Sequence, residues 1–194
     1  MKNFKFVRSI ITPLDKINVD TDQIVPKQFL KLVTKTGFGK YLFYNWRFNL
    51  HGDKKPNFVL NKSLYRNSKI LVSRDNFGCG SSREHAVWAI IDYGFEVVIA
   101  TSFADIFYDN CFQNGLLPIQ LNGEIINKLM KFESYVKVNL PQQIIEFGSE
   151  RVKFVIDVEK KQNLMSGLDN IAFTMKYEDK ISEYENISNV PSIL

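Results

Sequence analysis

Eleven consecutive residues, Asp75-Asn76-Phe77-Gly78-Cys79-Gly80-Ser81-Ser82-Arg83-Glu84-His85, hold most of the side chains here that could do chemistry. They bring together two serine hydroxyls, a thiol, a guanidinium, an imidazole and carboxylates. Gly78 and Gly80 carry no Cβ, so the backbone can bend sharply and a ligand can approach the main chain closely. Arg83 adds a planar fork of N–H donors that matches a carboxylate or a phosphate. These residue types specify an oxyanion site.

The flanking elements must hold that site in place. Lys69-Ile70-Leu71-Val72-Ser73 reads as a buried strand, and Ala86 to Tyr93 carries apolar residues at helical density up to Gly94. The eleven residues therefore form a strand-to-helix turn. Ser81, Ser82, Arg83 and Glu84 open the helix, where unpaired N–H groups and the positive end of the macrodipole favour an anion. Ser81 and Glu84 also fit a capping box, in which both side chains would only satisfy the helix backbone. Capping accounts for one serine and leaves Ser82, Arg83 and His85 without a task.

Other chemistries fit the turn less well. Cys79 as a thiolate nucleophile needs a base, and only His51 and His85 are on offer, the latter inside the helix. The phosphate-loop spacing is absent, and Arg83 stands where a dinucleotide fingerprint needs its third glycine. Upstream, Asp20 and Asp22 could form a two-carboxylate metal site if extended; the alternative is an Asx turn for one and solvation of the other. Lys27, Lys31, Lys35 and Lys40 belong to a solvated face, from which one could reach an acidic ligand.

The chain has 194 residues, 45% of them hydrophobic, enough for one domain or one domain with an appended helical tail. Its 25 Lys and Arg against 21 Asp and Glu give +4, with no long block of either sign. No concentrated basic stripe is visible, so nucleic acid is not an expected partner. Sixteen phenylalanines suit a packed core. Cys79 and Cys111 have no metal-ligand spacing, which favours a reduced, cytoplasmic setting over a disulfide framework. No signal peptide is visible at the N-terminus, and no run reaches the ~20 apolar residues of a membrane helix.

In chain order, a first strand is expected over Phe4–Ile11 and two short helices between Lys27 and Trp46 around Gly37-Phe38-Gly39. A polar surface loop covers 47–67. After the central turn come a strand over Phe95–Ala100 and a helix that starts at a second capping box, Ser102 to Asp105, and stops near Asn114-Gly115. Cys111 on that helix reads as a core residue. Leu116–Leu121 is a strand and Gly123–Phe132 a helix. Tyr135–Leu140, Ile144–Phe147 and Val152–Ile156 suggest a small antiparallel set. A helix over Asp157–Ser166 stops near Gly167, and an amphipathic helix spans Leu168–Tyr184.

The turn Phe77–His85 resembles the signature of the swivelling domain of the aconitase superfamily, in the form carried by the small subunits of bacterial 3-isopropylmalate dehydratases. Further segments are similar to that family in the same order: Asn18–Leu30, Thr36–Gly39, Asp92–Phe95, Ser102–Tyr108, Leu116–Pro118 and Gly167–Ile171. The resemblance implies a swivelling β/β/α domain, a mixed and partly barrel-like sheet flanked by helices. It spans 1–194 as a single domain with a helical C-terminal extension from about 157. It implies a half-enzyme: a dehydration of 2-isopropylmalate and rehydration to 3-isopropylmalate, shared with a large subunit whose three cysteines hold a [4Fe-4S] cluster.

By the same resemblance Ser81 is the catalytic base, Ser82 and Arg83 bind the carboxylate of a dicarboxylate substrate, and this chain binds no metal. Relatives that act on citrate carry a further arginine where this chain has Thr34. Pro26–Gly39 is thus the expected source of discrimination for the isopropyl group. The competing reading is a stand-alone anion-binding or regulatory module that uses the same helix start.

Overall fold

The computed structural model describes residues 3–30, 36–167, 174–175 and 177–187. The apolar runs become strands that pair into two four-stranded sheets. One is parallel, in the order β2 (Ile11–Pro13), β3 (Ile70–Val72), β4 (Val97–Ala100) and β5 (Leu117–Gln120). The other is antiparallel, in the order β1 (Phe6–Ser9), β6 (Val136–Asn139), β7 (Ile144–Phe147) and β8 (Glu150–Lys153). The parallel and antiparallel pairings expected of a mixed sheet are thus divided between two sheets. The single strand expected over Phe4–Ile11 is also divided: the chain leaves one sheet at Ser9 and enters the other at Ile11. Its burial pattern shows why, since β1 alternates exposed and buried residues whereas Ile11 and Thr12 are both buried, as in a sheet covered on both faces.

Alternation along the parallel strands builds two cores. Ile70, Val72, Val97, Ile99, Leu117 and Ile119 pack with Val7, Val138 and Ile145 of the antiparallel sheet. Leu71, Val98 and Ala100 face the opposite way, onto the helices α3 (Glu84–Tyr93) and α4 (Asp105–Asn114), through Val87, Ile90, Phe107 and Cys111. Cys111 is the core residue expected of it. Pro13 and Pro118 sit on β2 and β5, the two edges, where a missing N–H interrupts no central ladder.

Helix α3 runs to Gly94, whose φ of 117° closes the helix in the left-handed region. Two short helices are expected in Lys27–Trp46, a stretch of which 31–35 lie outside the described residues; Pro26 and Gly39 stand at the starts of its short turns. This stretch forms 3-10 turns at Lys27–Phe29 and Gly39–Tyr41 and two single-turn helices flank it, α1 (Thr21–Ile24) before and α2 (Tyr44–Arg47) at its end. Helix α5 (Gly123–Met130) follows β5. The third antiparallel strand lies at Glu150–Lys153, earlier than Val152–Ile156, and Asp157 caps α6 (Val158–Ser166) by accepting from the N–H groups of Glu159 and Lys160. Of the helix expected over Leu168–Tyr184, residues 168–173 and 176 lie outside the described residues, as do Lys31, Thr34 and Lys35; a helix is present over Glu178–Ile187. No described helix is long and apolar enough to cross a membrane.

Candidate active site

The central turn leaves the C-terminal end of β3, and loops on both sides stitch it down. On one side Asn18 N–H donates to Asp75 O (2.9 Å), Gly78 N–H to Val19 O (2.7 Å) and Thr21 N–H to Cys79 O (2.9 Å). On the other, Phe77 N–H donates to Ser102 O and Ala104 N–H to Phe77 O, both at 3.0 Å. Ser102, expected to cap α4 with Asp105, instead accepts the Asn76 N–H on its Oγ at 2.8 Å; Ala104 is the N-cap of α4 and makes no side-chain bond. A hydroxyl that helix rules assign to its own helix braces the reactive turn. Beneath it, Gly78 at φ +79° lies so close to Phe107 that an added Cβ would stand 2.1 Å from that ring's Cγ.

The capping box expected from Ser81 to Glu84 does not form. Arg83 is the N-cap of α3, with extended backbone and no side-chain bond to the helix. The bond that Ser81 makes runs through its carbonyl, which accepts from Thr21 Oγ1 at 2.8 Å, and both serines are exposed. The first N–H groups of α3 therefore keep no serine partner, and they open toward the side where an anion is favoured. Beside them lies a cavity of about 210 Å³ whose lining includes Thr21, Gly80, Ser82, Arg83, Ile106 and Phe107. Its lining also includes Gly78, Ala104 and the acidic Asp105.

Asp22 and Arg83 form a two-pronged ion pair: Nη1 donates to Oδ1 in a short contact, and Nη2 to Oδ2 at 2.9 Å. The Arg83 side chain is 11% exposed and that of Asp22 37%, with Lys27 Nζ 3.8 Å from Asp22 Oδ2. This fork fixes the guanidinium plane and leaves its remaining N–H donors for a ligand. Asp20 does something different. As the N-cap of α1, it accepts the Gln23 N–H at 2.7 Å while its own N–H donates to Gln23 Oε1 at 3.1 Å. The two carboxylates, considered together as possible metal ligands, serve separate partners, and among the described residues no group of three metal-binding side chains occurs.

Asp22→Asn keeps the shape but loses the charge that holds the fork. If Arg83 binds a substrate carboxylate, as the family resemblance implies, the expected effect is a KM about tenfold higher with kcat changed less, since a loosened arginine would weaken ground-state and transition-state binding alike. Steady-state kinetics of the assembled enzyme check this, and an unchanged KM would show that Asp22 does not orient Arg83.

Cys79 and His85 do not make a nucleophile and its base. The His85 ring packs against Phe38 and Trp88, with ring centres 5.3 and 4.6 Å away. Burial, and then the Asp20 charge, push the Cys79 thiol above its ordinary range, so little thiolate exists at neutral pH. Iodoacetamide is therefore expected to label Cys79 more slowly than a free cysteine at pH 7–8, with labelling rising only at higher pH. Rapid labelling at pH 7, followed by mass spectrometry, would contradict the shift.

Comparison with known proteins places this geometry. A family model described as the aconitase C-terminal domain matches residues 1–124. The 3-isopropylmalate dehydratase small subunit of Brevibacillus brevis is 47% identical over 191 residues, covering 95% of this chain and 98% of that protein. That of Bacillus cereus is 48% identical over 189 residues, covering 96% and 98%. The chain belongs to the family of 3-isopropylmalate dehydratase small subunits. The small subunit of Lactococcus lactis is likewise 48% identical over 187 residues, covering 95% of this chain. A crystal structure of 3-isopropylmalate dehydratase from Methanocaldococcus jannaschii superposes with a TM-score of 0.67 at 25% identity, over 92% of this chain and 99% of that one. The aconitase-type match takes in all five strands from β1 to β5, the turn and both loops that brace it. The family is thus one of dehydratase subunits, hydro-lyases of the aconitase type.

Proposed function

We propose that this chain, joined to a large subunit in the cytoplasm, interconverts 2-isopropylmalate and 3-isopropylmalate by dehydration and rehydration in leucine biosynthesis. The reading is supported by the exposed Ser81 two residues before the N-cap of α3, next in sequence to Ser82, which lines the cavity together with the anchored Arg83; Ser81 itself is not among the lining residues.

A three-thiolate cluster site does not fit this chain: it has two cysteines, and Cys111 is sealed in the core where burial pushes its thiol well up. The [4Fe-4S] cluster of the resembling enzymes is accordingly assigned to the large subunit, where, when bound, it would supply a Lewis acid for the departing hydroxide. What remains for this chain is anion binding and proton transfer. Arg83 holds one carboxylate of the dicarboxylate substrate through donors not used by Asp22, and the Ser82 hydroxyl donates a further hydrogen bond. Ser81 Oγ takes the proton from the carbon next to the hydroxyl-bearing one and delivers a proton on rehydration. A serine oxygen is a weak base, so its anionic form needs the positive end of α3 and the Arg83 charge beside it.

The test combines the purified chain with its large subunit under anaerobic reconstitution with iron and sulfide. Isopropylmalate turnover is expected for the mixture and for neither chain alone. A chain that binds the dicarboxylate tightly by itself, and adds no turnover to the large subunit, would instead be an independent anion-binding module.

A further inference from the structure

Ser81 and Ser82 lie between Gly80, at φ +86°, and Arg83, the N-cap of α3, in a short run that is neither strand nor helix. Glycine adopts left-handed and right-handed backbone with similar ease, so the residue before Ser81 supplies freedom where proton transfer needs a fixed point. No ladder of its own holds Ser81 there. Among the described residues the Ser81 main chain and side chain make one hydrogen bond, in which the Ser81 carbonyl accepts from Thr21 Oγ1 at 2.8 Å.

Thr21 reaches that carbonyl from the first position of α1. It is 1% exposed, and its own N–H donates to Cys79 O at 2.9 Å. The carbonyls of the residues on either side of Gly80 are thus pinned by one threonine. The turn lies directly against it, since a Cβ built on Gly80 would stand 3.8 Å from Thr21 Oγ1 and 3.9 Å from Thr21 N. Helix α1 has its own anchors, independent of the turn. Reciprocal bonds between Asp20 and Gln23 close its N-terminus, Ile24 and Val25 are fully buried, and Phe43 N–H donates to Ile24 O at 2.8 Å. The next residue, Asp22, holds the Arg83 fork. Consecutive residues of one anchored helical turn therefore hold Ser81 and Arg83, and their relative placement is set by α1 rather than by the permissive glycines.

We infer that Thr21 is a positioning residue for the reaction: its hydroxyl, through the Ser81 carbonyl, keeps Ser81 in register with Arg83. The inference rests on the role proposed above for Ser81. Thr21 also lines the cavity, so the experiment separates an action through Ser81 from a contact with substrate. Turnover is measured per assembled complex with the large subunit for Thr21→Val, which replaces the hydroxyl by a methyl group, for Thr21→Ala, which adds no bulk, and for Thr21→Ser, which keeps the hydroxyl. The control is Thr12→Val, at a fully buried threonine on β2 whose hydroxyl has no partner among the described residues; it should leave kcat unchanged.

Thr21→Val and Thr21→Ala are expected to lower kcat about 10–100-fold, the size of effect of a misplaced catalytic group, with KM nearly unchanged. Thr21→Ser should restore most of the kcat. Added to Ser81→Ala, Thr21→Val should take away nothing more, because no base remains to be placed. Wild-type kcat in both Thr21→Val and Thr21→Ala would overturn the inference and leave Ser81 as the base. A raised KM at unchanged kcat would make Thr21 a substrate contact, and an equal further loss in the Ser81→Ala background would make its effect independent of Ser81; either result overturns the positioning role. Near-normal kcat in Ser81→Ala itself would instead remove the reading on which the inference rests.

Discussion

Ser81→Ala is expected to lower kcat of the assembled enzyme by about 10³-fold, the size of effect that removing a general base produces. The substitution removes one exposed oxygen, while the carbonyl that anchors the residue to Thr21 Oγ1 stays in place. The fold, the affinity for the large subunit and the KM should therefore hardly change, and the loss should fall on the chemical step. Ser82→Ala makes the contrast. Ser82 lines the cavity and is proposed to donate to bound carboxylate, so the KM should rise several-fold while much of the kcat remains. Single-turnover measurements with loaded large subunit separate the two. A Ser81→Ala enzyme with near-normal kcat would mean that another group accepts the proton.

Gly78→Ala should be the most damaging substitution of a single methyl group in the turn. At φ +79° the new residue would occupy the left-handed region at a cost of about 1–2 kcal/mol. Its Cβ would also stand 2.1 Å from Phe107 Cγ. Phe107 is 3% exposed and packs edge-on against Phe77 at 5.4 Å, so it can move only by disturbing the core, which typically costs ~1–3 kcal/mol. The combined expectation is a loss of about 2–5 kcal/mol, read as a lower urea midpoint at unchanged m-value. Phe107→Ala alone should cost ~3–5 kcal/mol. The double variant should lose much less than the two losses added together, because removing the ring removes the collision. Strict additivity would show that the turn relaxes around the methyl group, so that contact with Phe107 is not what requires glycine there. Since the same turn presents Ser81, activity of Gly78→Ala should fall along with stability.

Gly80 in the same turn is a milder case. It shares the positive φ, but an added Cβ would meet nothing nearer than Asp20 Cβ at 3.4 Å. The strain there is conformational, without overlap.

What the sequence by itself determined was local. The strand–turn–helix around Gly78 and Gly80, the stop of α3 at Gly94 and the cap of α6 at Asp157 follow from apolar spacing and from the conformations that glycine and aspartate allow within a few residues. The collinear motifs likewise carried the family without any contact being known. The tertiary structure alone decided the partners. Ser81 with Glu84 and Ser102 with Asp105 are equally good capping boxes on paper, yet both remain unmade, because the chain brings other groups to those places. Ser102 meets Asn76, 26 residues away, and Arg83 meets Asp22, 61 residues away. The split of the first strand at Ile10 is of the same kind. Hydrogen-bonding and apolar preferences act between neighbours in space, and only the pairing of β2, β3, β4 and β5 into one parallel sheet makes neighbours of segments so far apart in the chain.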